Sequence, residues 1–326
     1  MPQMTTAVIL LNLGGPDSLQ SVRGFLYNLF SDRQIIRLGP AVMQKPLAWF
    51  ISTLRSKKTE NMYSNIGGKS PIFDITKAQA QALEELLNGG SDPTHVFKVC
   101  IGMRYWHPFT EDVVEQLSRE GIRRIIGLSL YPQYSVTTSG SSLSQFKEVA
   151  HRCNMQIFTV DSWHNHPLYI EALLDVIRRG LMLFQPASPD DIHVLFSAHS
   201  LPQKIIDQGD PYVEQTLGTI QEIVKVLPVQ WHLSYQSKSG PVSWLEPSTE
   251  DKLKELSQKG IKNVLVVPIS FVSDHIETLY EIDILYKHRA EELNLTMKRT
   301  ESLNTHPKFI AALRDIVLTC IGTGAH

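Results

Sequence analysis

Four carboxylates and an imidazole follow directly on an apolar run near the end of the chain. The stretch VVPISFVSDHIETLYEID, residues 266–283, begins like a buried strand and then brings Asp274, His275, Glu277, Glu281 and Asp283. On an α-helix at about 100° per residue, Asp274, Glu277 and Glu281 would fall within one sector about 60° wide. Asp274 with Glu277 also matches a helix-capping box. A cap explains neither His275 nor the acids further along, so the segment predicts chemistry.

A second polar turn ends another apolar run. In HVLFSAHSLPQK, residues 193–204, a buried-strand pattern gives way to Ser197, His199 and Ser200, and Pro202 stops the turn. An imidazole that faces carboxylates binds a first-row divalent metal or exchanges protons near neutral pH. On the residues alone, the alternative of a buried structural histidine stays open.

Short apolar runs alternate with helical patterns and must position these groups. Strands are predicted at 7–13, 95–101, 123–131, 155–160, 192–198, 229–235 and 262–270. Helices are predicted at 17–30, 74–88, 110–119, 141–152, 167–183, 211–226, 248–258 and 307–320. Near-continuous apolar strands between helices are typical of a parallel sheet covered on both faces, so the sequence predicts an α/β protein.

An internal repeat divides the chain. FTEDVVEQLSREGIRRIIGLSLYP, from 109, matches STEDKLKELSQKGIKNVLVVPIS, from 248, and SWHNHPLYIEALLDVI, from 162, matches SLNTHPKFIAALRDIV, from 302. We therefore predict two similar doubly wound, Rossmann-like halves, residues 1–165 and 166–326, the second carrying His199 and Glu277. Ligands of such folds bind at the carboxyl ends of the strands, so the active cleft is expected between the halves.

The first half contains an additional segment that we call the lip, residues 35–71. The repeat offset grows from about 140 to 186 at the chain start, which places about 46 extra residues between 17 and 95. The lip is apolar at first and then basic, with Arg55, Lys57 and Lys58. Either it is an amphipathic cover helix, or it is a lid for a large flat apolar ligand with acidic substituents. Its GGKS sequence lacks the first glycine of a P-loop.

Composition narrows the functional classes. The 326 residues are 42% hydrophobic with a net charge of -2, which gives no general electrostatic case for nucleic acid. The apolar stretches are shorter than the roughly 20 residues of a membrane span, and a cytoplasmic protein is expected. The three cysteines, Cys100, Cys153 and Cys320, are far apart in the sequence, so thiolate metal sites are not indicated.

The linked motifs resemble the ferrochelatases, which insert ferrous iron into a porphyrin to make haem. The likeness covers nearly the whole chain through LNLGGP, IGGKSP, YPQYS, SAHSLP, QSKSGP..WLEPS and SDHIETLYEID. It implies two similar α/β halves with the porphyrin in the cleft between them. It also implies protoporphyrin IX and ferrous iron as substrates, two released protons and no permanently bound cofactor. Because Cys320 stands alone near the end, no iron–sulfur cluster is expected.

The resemblance also implies site residues. His199, Glu277 and His275 would be catalytic, with His199 and Glu277 also binding the metal, and Asp274 and Glu281 would form a metal or proton path. The implied porphyrin-binding residues are Leu13, Arg55, Tyr63, Ser70, Arg104, Tyr105, Trp244 and Phe271, of which Arg55, Tyr63 and Ser70 would address the propionates. Whether His199 or Glu277 takes the protons stays open, and His199 as acceptor is a hypothesis.

Two alternatives remain. The first is a coproporphyrin ferrochelatase or a related tetrapyrrole metal chelatase. The second, of another class, is a tetrapyrrole carrier without turnover, which would need the lip but not an opposed His199 and Glu277. The lip also predicts peripheral contact with the inner face of a membrane.

Overall fold

Two α/β units make up the computed structural model, which describes residues 4–90, 95–188, 191–238, 240 and 242–323. Unit 1 runs to Trp163 and resumes at Phe309, and unit 2 runs from His164 to Lys308. Each unit contains one four-stranded sheet in which every pair of neighbouring strands is parallel.

In unit 1 the sheet order is β2-β1-β3-β4, with strands β1 Met4–Asn12, β2 His95–Met103, β3 Arg124–Ser129 and β4 Gln156–Val160. Its helices are α1 Val22–Ser31, α2 Gln44–Ser64, α3 Ile72–Asn88, α4 Thr110–Arg119 and α5 Ser141–Arg152. Two 3₁₀ turns, Leu19–Ser21 and Ala41–Met43, and a π-helix, Val136–Gly140, complete it. Residues 6–12 of β1 are all buried, as expected for a central strand covered on both faces.

In unit 2 the sheet order is β6-β5-β7-β8, with strands β5 Ile192–His199, β6 Gln230–Gln236, β7 Asn263–Pro268 and β8 Thr296–Arg299. Its helices are α6 Pro167–Met182, α7 Gln203–Asp207, α8 Tyr212–Val226, α9 Thr249–Gln258 and α10 Lys287–Glu292. A π-helix, Glu277–Tyr286, directly precedes α10. The last helix of the chain, α11 Pro307–Thr323, begins in unit 2 and from Phe309 onward belongs to unit 1.

The two sheets share one topology. The chain moves outward from β1 to β2 and then crosses back to β3, and it does the same from β5 to β6 and β7. The order therefore reverses between the two central strands of each sheet, and the carboxyl ends of those strands are where such folds bind ligands. The predicted fold class, two similar doubly wound parallel α/β halves, is confirmed. The extra length of unit 1 corresponds to α1 and α2.

The structure differs from the predicted division at the C-terminus, because residues from Phe309 onward group with unit 1 rather than with the second half. The Phe309 ring lies 5.8 Å from that of Trp163, measured between centroids. Arg314 Nε donates to the carbonyl of Leu86 at 3.3 Å. The repeat indicated where α11 begins but not which sheet it covers, since long-range packing decides that.

Several short elements are absent from the predicted strands and helices, namely β8, α7 and α10. Strand β8 has only four residues, and its alternation is too short to stand out. The lip proved to contain one long helix, α2, followed by the turn to α3. Among the described residues, no helix is both long and apolar enough to cross a membrane.

Candidate active site

The carboxyl ends of β5 and β7 are tied together around His199. The His199 backbone N–H donates to Ser270 Oγ at 3.2 Å, and the His199 carbonyl accepts from the Tyr212 hydroxyl at 2.9 Å. The hydroxyls of Tyr212 and Ser270 are 2.6 Å apart. This network fixes the end of β5 against the turn that follows β7, and so it fixes where the imidazole of His199 lies.

The side chain of His199 faces a carboxylate from the π-helix. His199 Nδ1 lies 2.8 Å from Glu277 Oε2, and the two side chains are 31% and 17% exposed. The hydroxyl of Ser237, just after β6, lies 2.7 Å from Glu277 Oε2 and 2.5 Å from Glu281 Oε2. One hydroxyl therefore joins the two carboxyl groups, and His199, Glu277, Ser237 and Glu281 form a continuous polar row.

The π-helix explains how these groups come to share one face. Its i→i+5 hydrogen bonds imply roughly four to five residues per turn, so Glu277, Glu281 and Tyr286 lie one above the other. Tyr286 is hydrogen-bonded to the backbone of Ser237, on the same side as both carboxyl groups. The predicted α-helical wind is wrong here. It would put Tyr286 about half a turn away from Glu277, and it grouped Asp274 with the two glutamates.

The pKa values of the groups in this row are shifted in different directions. Burial alone would lower the pKa of His199, but the carboxylate of Glu277 outweighs burial and raises it above its ordinary value. Burial acts on Glu277 in the opposite sense, and the charge of His199 holds the Glu277 pKa well below its usual range. Burial and the charge of Glu277 raise the pKa of Glu281 to about 7. The site thus holds an imidazole hydrogen-bonded to a carboxylate, and a second carboxyl group whose pKa lies near neutrality.

His275 lies next to this row but is buried, with 6% of its surface exposed. Its ring centroid is 4.3 Å from that of Phe271, and the Phe271 ring lies 6.1 Å edge-on to His199. His275 Nδ1 is 3.1 Å from the carbonyl of Ser273. A carbonyl only accepts, so Nδ1 carries the hydrogen, and burial lowers the pKa of His275 and favours this neutral form.

The carboxylate of Asp274, predicted to lie on a metal or proton path, points into a separate network. Its Oδ1 accepts from Ser302 Oγ at 2.8 Å and from Arg299 Nη1 at 3.1 Å, and its Oδ2 accepts from Asn304 Nδ2 at 2.9 Å. Burial would raise the pKa of Asp274, but the charge of Arg299 and these hydrogen bonds lower it. The structure brings Glu281 to His199 and Glu277, and it holds Asp274 elsewhere.

In unit 1, the predicted residues Arg104 and Tyr105 converge on a residue that the sequence did not reveal. Asp32 Oδ2 accepts from Arg104 Nη2 at 2.7 Å, from the Tyr105 hydroxyl at 2.7 Å and from Ser141 Oγ at 2.8 Å. The Asp32 side chain is only 7% exposed. Asp32 stands 72 residues from Arg104, so no local pattern could have pointed to it. Ser237 was equally hidden, although its QSKSGP motif follows a strand directly.

The other predicted porphyrin-binding residues are more dispersed. In unit 1, Leu13 directly follows β1, and Ser70 packs so closely on Gly15 that a side chain at Gly15 would clash with it. Tyr63 and Ser70 are buried, whereas Arg55 is exposed with its guanidinium 5.4 Å from the ring centroid of Phe30.

Trp244 belongs to unit 2 and lies in the loop between β6 and α9. Its backbone bridges to Pro202, just beyond β5. Its indole N–H is buried and finds no hydrogen-bond partner among the described residues. A buried donor without a partner is uncommon, and Trp244 shares this feature with Trp106.

Comparison with known proteins accounts for nearly the whole chain. The ferrochelatase family profile matches residues 5–320. A protein named ferrochelatase from Geotalea uraniireducens is 50% identical over 321 residues, covering 97% of this chain and 98% of that protein. One of the same name from Gloeothece citriformis is 49% identical over 322 residues, covering 96% and 82%.

Solved structures agree on the fold. SirB from Bacillus subtilis with Fe3+ superposes with a TM-score of 0.57 at 14% identity, covering 99% of this chain and 98% of that chain. The sirohydrochlorin chelatase SirB from Bacillus subtilis subspecies spizizenii, in complex with cobalt, gives 0.54 at 13% identity, covering 98% and 96%. At such identities the likeness carries the fold alone. The family profile and the relatives near 50% identity carry more: this chain belongs to the ferrochelatase family.

Proposed function

We propose that this chain inserts ferrous iron into protoporphyrin IX to form protohaem, with release of two protons. The observation that carries the proposal is the 2.8 Å contact between His199 Nδ1 and Glu277 Oε2, at the carboxyl ends of the central strands of unit 2. Membership of the ferrochelatase family supports the reaction class. Iron is a substrate here, and no permanently bound cofactor is part of the proposal.

His199 has the properties of a proton acceptor. Its Nδ1 is engaged with Glu277, so Nε2 is the ring atom that would receive a pyrrole proton. The carboxylate of Glu277 raises the proton affinity of the imidazole and stabilises the imidazolium that forms. This arrangement follows the general logic of a base oriented by a carboxylate. Ser237 and Glu281 then offer a route by which the proton leaves.

The metal has to be held loosely, because it must pass to the porphyrin. A carboxylate and an imidazole are adequate ligands for ferrous iron. Among the residues that the structure describes, no group of three or more His, Cys, Asp or Glu side chains is arranged to hold a metal ion. We propose that His199 and Glu277 provide a transient pair of ligands, which suits a site that must release its metal.

The proposed porphyrin-binding residues remain those implied by the family motifs. Phe271, 6.1 Å edge-on to the His199 ring, is an apolar residue beside the proposed chemistry. Trp244, in the loop that bridges to Pro202 just beyond β5, belongs to the same set. The set is completed by Leu13, Arg55, Tyr63, Ser70, Arg104 and Tyr105.

The test is anaerobic turnover. Purified protein is mixed with ferrous iron and protoporphyrin IX or coproporphyrin III, and the loss of porphyrin fluorescence is followed. His199→Ala is compared with His288→Ala, which removes an exposed imidazole from α10. We expect metallation of protoporphyrin, lost in His199→Ala and kept in His288→Ala. Preference for coproporphyrin would change the substrate, and tight binding of both porphyrins without metallation would indicate a carrier.

We also propose a cytoplasmic protein that contacts a membrane through the lip. The lip exposes large apolar side chains beside basic ones: Val42 is 84%, Trp49 54%, Phe50 55% and Leu54 65% exposed. Arg23 lies 5.3 Å from the ring centroid of Trp49. Exposed apolar groups next to cations suit an anionic lipid surface. Sedimentation with phosphatidylglycerol vesicles should capture the wild type and not Phe50→Glu.

A further inference from the structure

One arginine on the last strand of unit 2 binds two carboxylates, one in the π-helix and one just before it. Arg299 ends β8, and its Nε and Nη2 donate to the two carboxylate oxygens of Asp283 at 2.8 and 2.7 Å. Its Nη1 donates to Asp274 Oδ1 at 3.1 Å. Asp283 lies within the π-helix and Asp274 lies just before it, so a single guanidinium bridges the approach to this helix and its middle.

The geometry of this bridge fixes how Asp274 and Asp283 are oriented relative to each other. A fork of two parallel hydrogen bonds fixes direction as well as charge, and the Arg299 side chain is only 11% exposed. Asn304 also binds the backbone of Asp274: its Oδ1 accepts from the Asp274 N–H at 3.0 Å. Thr278 Oγ1, one residue beyond Glu277, donates to Asp274 Oδ1 at 3.1 Å.

A π-helix of ten residues needs such support. The π form is rare and occurs mostly as single turns, and unusual backbone conformations persist only where the surroundings over-determine them. Relaxation to an α-helix would turn Tyr286 to the side away from Glu277 and would change how Glu277 and Glu281 face Ser237. The row of groups at the active site therefore depends on the wind of this helix.

We propose that Arg299 is a positioning residue for metal insertion: through Asp274 and Asp283 it keeps residues 277–286 in the π-helical conformation that presents Glu277, Glu281 and Tyr286 together to Ser237. The kinetic part of this inference rests on the proposed function. It assigns Asp274 to holding the helix. Lysine cannot replace Arg299, since a single ammonium lacks the planar fork that reaches both carboxylates.

The test compares Arg299→Lys with Arg289→Lys, a matched control on α10 whose arginine pairs with surface acids Glu250 and Glu292. Iron insertion is measured for kcat and for the KM of porphyrin, and amide hydrogen exchange is followed over 277–286, with 136–140 as an internal reference. For Arg299→Lys we expect kcat to fall about ten- to hundredfold while KM stays within about threefold. Exchange should accelerate over 277–286 and not over 136–140, and Arg289→Lys should behave as the wild type.

Unchanged kcat and exchange in Arg299→Lys would overturn the proposal. A loss of activity that only matches a loss of folded protein, with local exchange unaltered, would overturn it as well. If Arg299→Lys does not fold, Asp283→Asn breaks the outer fork alone and must show the same pattern more weakly. A wild type that does not metallate porphyrin, but whose 277–286 exchange still responds to Arg299→Lys, would refute the proposed function and leave the structural hold on the helix standing.

Discussion

The described part of the chain contains two π-helices, which occupy equivalent positions in the internal repeat and carry different polar side chains. Val136–Gly140 follows β3 in unit 1, and Glu277–Tyr286 follows β7 in unit 2. At the repeat offset of 139, Thr138 stands where Glu277 stands, and Ser142 where Glu281 stands. The hydroxyls of Thr138, in the first π-helix, and of Ser142, at the start of α5, thus stand where the second π-helix has carboxyl groups.

The polar groups of the two regions are also balanced differently. In unit 1, hydroxyls bond to one another, as Ser129 does with Ser139 at 2.8 Å, and the buried Asp32 is compensated by Arg104. In unit 2, neither Glu277 nor Glu281 forms an ion pair with any described Lys or Arg. From this difference we propose that the same scaffold serves structure where a buried carboxylate is neutralised by an arginine, and serves the proposed chemistry where buried carboxyl groups have no such partner.

The largest effect should come from removing the charge of Glu277, because the difference between the two regions rests on that charge. For Glu277→Gln we expect the rate of iron insertion to fall about a thousandfold, equivalent to about 4 kcal/mol in the barrier, because His199 loses the carboxylate that supports its protonated form. Porphyrin affinity, measured by fluorescence titration, should stay within about threefold. Glu255→Gln, on α9, is the matched control and should leave both unchanged. Near-normal turnover in Glu277→Gln would show that the two regions do not differ in function.

The balanced cluster of unit 1 should contribute to stability, in addition to the porphyrin contacts proposed for Arg104 and Tyr105. In Asp32→Asn the guanidinium of Arg104 remains buried without its counter-charge, and we expect the free energy of unfolding in urea to fall by about 3 kcal/mol. The double variant Asp32→Asn/Arg104→Met should recover part of that loss, since no charge is then left unpaired. A single variant as stable as the wild type would mean that the cluster is not structural.

The two sheets and the pairing of His199 with Glu277 could be predicted from the sequence, whereas the π-helix and the roles of Ser237 and Asp32 could not. Continuous apolar strands and the repeat predicted both sheets, and the strand ends predicted that His199 and Glu277 would belong to one site. An α-helical period could not reveal the π wind, which depends on outside partners such as Arg299. Ser237 and Asp32 act through contacts 40 or more residues away, and a single polar residue in a loop or at a helix end carries no local signal of that kind.

A smaller effect should follow from removing the hydroxyl that joins the two carboxyl groups. In Ser237→Ala we expect kcat to fall about tenfold, or about 1.4 kcal/mol, because one hydrogen bond to a charged group is lost. Ser237 has a φ of 67°, so the backbone must be controlled separately. Ser237→Gly relaxes that conformation and also lacks the hydroxyl, and it should lose as much activity as Ser237→Ala. Recovery in the glycine variant would assign the effect to backbone strain.

The smallest effect concerns the imidazoles at the start of β5, compared with His199 at its end. At its start, His193 Nδ1 lies 2.8 Å from His232 Nε2, with Lys252 and Lys259 nearby and Glu255 as the opposing charge. Burial, the neighbouring His193 and these two lysines lower the pKa of His232 to about 4, whereas Glu277 raises that of His199.

For a histidine whose folded-state pKa is depressed, stability is present above the unfolded value near 6.5 and is lost as pH falls toward 4. Between pH 7.5 and 5.5, urea unfolding of the wild type should therefore lose about 1 kcal/mol more than that of His232→Gln. Equal losses in the two proteins would mean that the imidazole of His232 keeps an ordinary pKa, and that its burial beside cations does not distinguish it from His199.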